Sequence, residues 1–318
     1  MAAVAKKTKN RTAAAAASGE FGTINPRQPC PCGSGRRYKA CHGAADAVDM
    51  IVARPFEGLP GEVELIALRE FVPSATATLE LRDPAEDAPS ILLCSVLPGA
   101  AAALTRGDGS VLVGTQVQTH SGDLSRDLAA ALEWALAAEP SSVLPTVGRA
   151  SLGNRLQDLL TDTPLEVTVH SDFAWWLEEP PEPGSELATT LERANAAIMP
   201  TARLADLPGA YWVDTGEKAH LRWVRGEAEP ALMAALARLS AAGTLDLGEG
   251  SRYVGSFRAH GCLVPVWDLD REAHQSEWEQ PATEFADRLG AALASDAPLT
   301  SAERRARGGI LGRQFTLR

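Results

Sequence analysis

At 318 residues, 45% hydrophobic and 22% charged, the chain has enough apolar material for two or three buried cores. No apolar run approaches the roughly 18 residues of a membrane-spanning helix, and "TAAAAAS" near the start is too short for a secretory signal. The formal charge of −11 is split: residues 1–43 hold eight Lys/Arg against Glu20 alone, or +7, which leaves −18 on the remainder. A basic arm on an acidic body is a pattern of polyanion contact, because the body repels what the arm attracts. The chain reads as cytoplasmic, where thiols stay reduced, so its five cysteines suggest metal binding or core packing rather than a disulfide framework.

Residues 1–24 are rich in Ala, Lys and Thr without an amphipathic period and read as a disordered basic tail. Residues 25–44 contain "CPCGSGRRYKACHG", with three of the five cysteines. Cys30, Cys32, Cys41 and His42 supply a Cys3His donor set suited to tetrahedral zinc. Gly33 and Gly35 let the first turn aim backbone N–H groups at the thiolates. A unit of about 20 residues cannot bury enough surface to fold alone, so the metal would stabilise it by about 10–16 kcal/mol. With all four corners filled, the site is structural rather than catalytic. Arg36, Arg37, Tyr38 and Lys39 form the excursion between the ligand pairs and are the candidate partner-binding edge.

This stretch resembles the SEC-C motif, including the zinc-binding C-terminal segment of the preprotein translocase ATPase SecA. Cys30, Cys32, Cys41 and His42 fall on the ligand positions of that motif. The resemblance implies a zinc knuckle that docks a partner; in SecA the partners are the export chaperone SecB and the ribosome. The motif is N-terminal here, and no G-x-x-x-x-G-K-[ST] loop occurs, so the chain is no SecA motor.

After the knuckle, "AADAVDMIVA" suggests a short helix ending before Pro55. A helix near 61–70 and a strand near 75–82 follow. The wording of this stretch, with the terminal "GGILGRQFTLR", resembles an uncharacterised actinobacterial family with an N-terminal SEC-C motif. Cys94 and Cys262 lie in apolar, strand-like runs and read as core residues.

"LPGA" occurs at 97–100 and again at 207–210. Each copy precedes a glycine-turn hairpin, an amphipathic helix, a strand running into a tryptophan-bearing segment, and a second helix. This reads as an internal duplication over roughly 90–198 and 201–296. The expected fold is therefore α+β: a small zinc knuckle, then two units of mainly antiparallel sheet with helices packed on one face, at 45–198 and 199–318. In "ERRARGGILGRQFTLR", Gly308 and Gly309 read as a helix end. Ile310, Leu311, Phe315 and Leu317 favour docking on the body.

His170-Ser171-Asp172 looks catalytic, but sequence neighbours point apart, and Asp172 reads better as a cap for the helix carrying Trp175 and Trp176. Asp268, Asp270, Glu272, His274 and Glu277 form the densest set of potential ligands, yet a solvated helix start explains the same letters. His120, His220 and His260 read as surface or satisfied core histidines. The reading that results is a zinc-binding docking or adaptor protein whose partner is a ribosomal, export or chaperone component, and an enzyme is disfavoured. The alternatives are rRNA binding through the basic arm and knuckle, or an enzyme in the α+β body with no recognisable constellation.

Overall fold

The computed structural model describes residue 37 and residues 51–117, 121–148 and 153–313. The expected basic tail, nearly all of the knuckle and most of the short helix after it lie outside these residues. By its contacts the chain divides into residues 1–50 and residues 51–318, and the second unit carries both sheets.

That unit begins with α1 (Glu62–Glu70), matching the helix expected at 61–70. β1 (Ala75–Thr78), β2 (Ile91–Cys94), β3 (Ala103–Thr105) and β4 (Val111–Gly114) follow. Next come α2 (Leu124–Ala137), β5 (Val143–Leu144), α3 (Leu156–Leu159) and β6 (Val167–Val169). The second half holds α4 (Glu186–Ala196), β7 (Thr201–Arg203), β8 (Ala210–Asp214), β9 (Ala219–Trp223) and α5 (Glu229–Ala241). β10 (Ser251–Ala259), β11 (Cys262–Leu269), α6 (Glu279–Leu293) and α7 (Ser301–Leu311) complete it.

The fold is α+β, with a six-stranded sheet ordered β5-β3-β4-β2-β1-β6 and a five-stranded sheet ordered β10-β11-β9-β8-β7. Every pairing is antiparallel except β2 with β4. That exception arises because β3 folds back on the far side of β4, which places β4 between β3 and β2.

In the second sheet, side chains alternate between two cores, as the two-residue strand period requires. Trp212, Leu221, Trp223 and Trp267 face α5, α6 and α7, with Phe285 of α6 edge-on to Trp267 at 5.0 Å. Tyr211, Val213, Val264 and Val266 face the other way, into a core shared with α1, α2 and the first sheet. β11 is therefore buried on both sides, which explains its unbroken apolar run "CLVPVW". α1 is also buried all round: Leu65, Ile66, Ala67 and Leu68 are each at most 1% exposed. A four-residue apolar run in a helix suits a buried element rather than an amphipathic one.

After each "LPGA" the chain runs hairpin, helix, two strands, tryptophan-bearing 3-10 turn and helix, but the first copy inserts α3 between its two strands. The pairing differs too. The strand that leads into the tryptophan turn is β6 in the first copy, paired with β1 outside that copy, and β11 in the second, paired with β9 and β10 within it. The expected helix end at Gly308 and Gly309 is passed over: α7 runs through both to Leu311, because Ile310, 2% exposed, docks in the second core beyond them. Phe315 and Leu317 lie outside the described residues.

Candidate functional site

Cys30, Cys32, Cys41 and His42 lie outside the described residues, as do Arg36, Tyr38 and Lys39. Arg37 alone of this segment is described, and it is solvent-exposed. The fit to a metal therefore rests on donor chemistry: three thiols and an imidazole are the set that zinc takes in closed structural sites.

The two remaining cysteines are of a different kind. Cys94 is 0% exposed and Cys262 1%. Burial raises the Cys94 thiol far above its usual range and pushes Cys262 up to about 12, with the Glu62 carboxylate adding to the second shift. Neither forms thiolate at neutral pH, so neither is a nucleophile. In the native protein both will resist a thiol-disulfide indicator such as dithionitrobenzoate and react only after denaturation. Immediate colour from either would contradict this packing.

His170, Ser171 and Asp172 do not converge. His170 pairs through Nε2 with Thr76 Oγ1 at 2.9 Å, beside the Trp175 ring. Burial lowers its pKa, so the ring is neutral near pH 7. Asp172 Oδ1 accepts from the Ala174 N–H at 2.8 Å, capping the 3-10 turn that carries Trp175 and Trp176. That turn is an anchor. Trp175 Nε1 donates to Ser74 Oγ, Trp176 Nε1 donates to the Val96 carbonyl, and Phe173 stacks on Trp176 with centroids 4.1 Å apart.

The acidic segment is similarly dispersed. Asp268 faces Lys218, Arg252 and His220 across the second sheet. Asp270 caps the Glu272 N–H, and Glu277 accepts from the His274 N–H at 2.7 Å in a capping box just before α6. These letters start a helix, as their spacing suggests. His260 sits in the two-residue β10–β11 turn, pairs with Glu70 at 2.8 Å and lies against Phe56. His120 lies outside the described residues.

Sequence reasoning missed two buried glutamates in the first turn of α1. Glu62 takes both forks of Arg54 at 2.7 Å, and Arg54 also donates to the Gly226 carbonyl at 2.6 Å. Arg54 is held more firmly protonated than usual by that bond to Glu62. Glu64 accepts from the Gly209 N–H at 3.1 Å and from the Tyr211 hydroxyl, with Arg203 at 3.6 Å. Burial, then the Glu64 charge, raises the Tyr211 hydroxyl well above its usual pKa. Together the two carboxylates tie α1 to the second sheet and its loops. The available signal was weak: Glu62 and Glu64 lie in the first turn of a helix, and the four residues after Glu64 are all apolar.

Among the described residues no helix is long and apolar enough to cross a membrane, and no group of three or more His, Cys, Asp or Glu could hold a metal ion. The SEC-C motif matches residues 27–44, over the predicted ligand set. No match to the chain was found among curated proteins or among solved structures. The family of unknown function DUF5926 matches residues 55–318, both sheets and all seven described helices included, and the chain belongs to that family.

Proposed function

We propose that the protein is a zinc-dependent docking protein: Cys30, Cys32, Cys41 and His42 hold one zinc ion, and the folded knuckle binds a ribosomal or other protein partner. The SEC-C match over residues 27–44 carries this reading, since it covers all four donors at the spacing of a closed site. When bound, the metal supplies the folding energy of a segment too small to have a core. The chain itself supplies the recognition surface, Arg36, Arg37, Tyr38 and Lys39, of which Arg37 is exposed. A reducing cytoplasm suits the site, because zinc takes thiolates and not disulfides.

A second reading, rRNA binding by charge alone, is favoured by the +7 arm. Co-sedimentation with bacterial ribosomes, comparing wild type with Cys30→Ser/Cys32→Ser, separates the two. The docking reading expects only the wild type to pellet, with a loss well under tenfold between 50 and 200 mM salt. Equal pelleting of both proteins, with a steep salt dependence, would replace it by the charge reading. If neither pellets, the ribosome is excluded as the partner.

A further inference from the structure

We propose that the body carries a peptide-binding cleft, in which an extended acidic segment of a partner protein adds as a strand to the free edge of β7. This is independent of the zinc knuckle and concerns residues of the DUF5926 unit only.

β6 is one of the two edges of the first sheet and β7 one of the two edges of the second. They approach one another without pairing. The register fixes which backbone groups each edge leaves free. On β7, Ala202 pairs with Trp212, the Leu204 N–H bonds the Ala210 carbonyl, and the Pro200 carbonyl accepts from Asp214. In an antiparallel ladder alternate residues bond inward, so the N–H and C=O groups of Thr201 and Arg203 point out of the sheet edge. On β6, Thr168 pairs with Thr76 and the His170 N–H bonds the Ser74 carbonyl, which turns the groups of Val169 outward as well.

These outward groups line one cleft of about 570 Å³, formed by Val169 to Ser171 on one side and Pro200 to Arg203 on the other. Asn195 and Ile198 at the end of α4 form another part of its wall, with Gln275. An unpaired edge is a template for a strand, and most proteins block theirs with lysine, proline or a covering element. Here each edge is three residues long, about 10 Å, which fits a segment of three or four extended residues.

Among the described residues that line the cleft, Arg203 carries the charge at neutral pH, for burial lowers the His170 pKa and none of them is a carboxylate. The Arg203 side chain is 33% exposed even while it faces Glu64. A peptide carrying Asp or Glu therefore meets a cation, while the chain's own basic arm does not complement the site.

The test is selection of random displayed hexapeptides on the immobilised full-length protein, followed by fluorescence anisotropy of the enriched peptides. The expected result is enrichment of Asp- or Glu-containing sequences that lose at least tenfold in affinity for Thr201→Pro. That substitution deletes an outward N–H the fold does not use, so thermal unfolding should stay near wild type. N-methylation of alternate peptide amides, and not of the ones between, should abolish binding to the wild-type protein. This second readout decides the question even if Thr201→Pro folds poorly. No enrichment, enrichment of basic sequences, indifference of a well-folded Thr201→Pro, or insensitivity to N-methylation would each overturn the proposal.

Discussion

Glu64→Leu is expected to cost about 3–5 kcal/mol, a large share of a typical domain's stability. The Glu64 side chain is 5% exposed and serves three groups at once: the Gly209 N–H, the Tyr211 hydroxyl and the Arg203 guanidinium. Removing the acceptor leaves a buried hydroxyl and a buried N–H without a partner, and an arginine without its counter-charge. Leucine's apolar transfer gain offsets only part of that loss. Glu64→Gln keeps one oxygen to accept from the Gly209 N–H and turns an NH2 toward the Tyr211 oxygen, which can accept in its turn, so it should cost about 1–2 kcal/mol. Urea unfolding of the three proteins checks the order. A cost below about 1 kcal/mol for Glu64→Leu would show that the cluster adds nothing to holding α1 against the second sheet.

The second large effect separates the two "LPGA" copies. Gly209 has φ +72, and a Cβ there would sit 2.8 Å from the Val224 carbonyl oxygen and 3.0 Å from Val63 Cβ. Gly99, the same letter of the first copy, has φ +65 but nothing within 4 Å. Both pay the left-handed backbone penalty on becoming alanine, about 1–2 kcal/mol. Only Gly209 adds a clash with backbone, and overpacking of that kind costs about 1–3 kcal/mol more. Gly209→Ala should therefore lose about 3 kcal/mol or more and Gly99→Ala about 1, by the same urea measurement. Equal losses would mean that the two turns have the same surroundings, contrary to the packing described.

The same contrast shows where sequence reasoning succeeds. Hairpins at 103–114 and 210–223 and helices at 124–137 and 229–241 were legible, because each rests on local periodicity and glycine turns. The Asp172 cap and the acidic helix start at 268–277 were legible too, because each acts on its near neighbours, though the His274–Glu277 capping box was not foreseen. The pairing of β2 with β4 was not, for nothing in "ILLC" or "VLVG" states which neighbour each will take. Nor were Glu62 and Glu64. Glutamate in a helix's first turn ordinarily faces water, and only the arrival of Arg54, Gly209 and Tyr211, two of them about 145 residues away, makes these carboxylates internal. The edge cleft was hidden for a related reason: a free strand edge is a property of sheet order, and sheet order is set by long-range packing.

The knuckle is the opposite case. Its donors and spacing lie within fourteen letters, and the SEC-C match confirms the motif. In sequence the SEC-C segment, at 27–44, precedes the DUF5926 unit, at 55–318.

Metal analysis of the full-length protein, by inductively coupled plasma mass spectrometry after extensive dialysis, tests the docking account most directly. One zinc per chain is expected in the wild type and none in Cys30→Ser/Cys32→Ser, with unchanged urea unfolding of the body. A wild-type chain that purifies without zinc, takes up none from buffer and still binds its partner would contradict it.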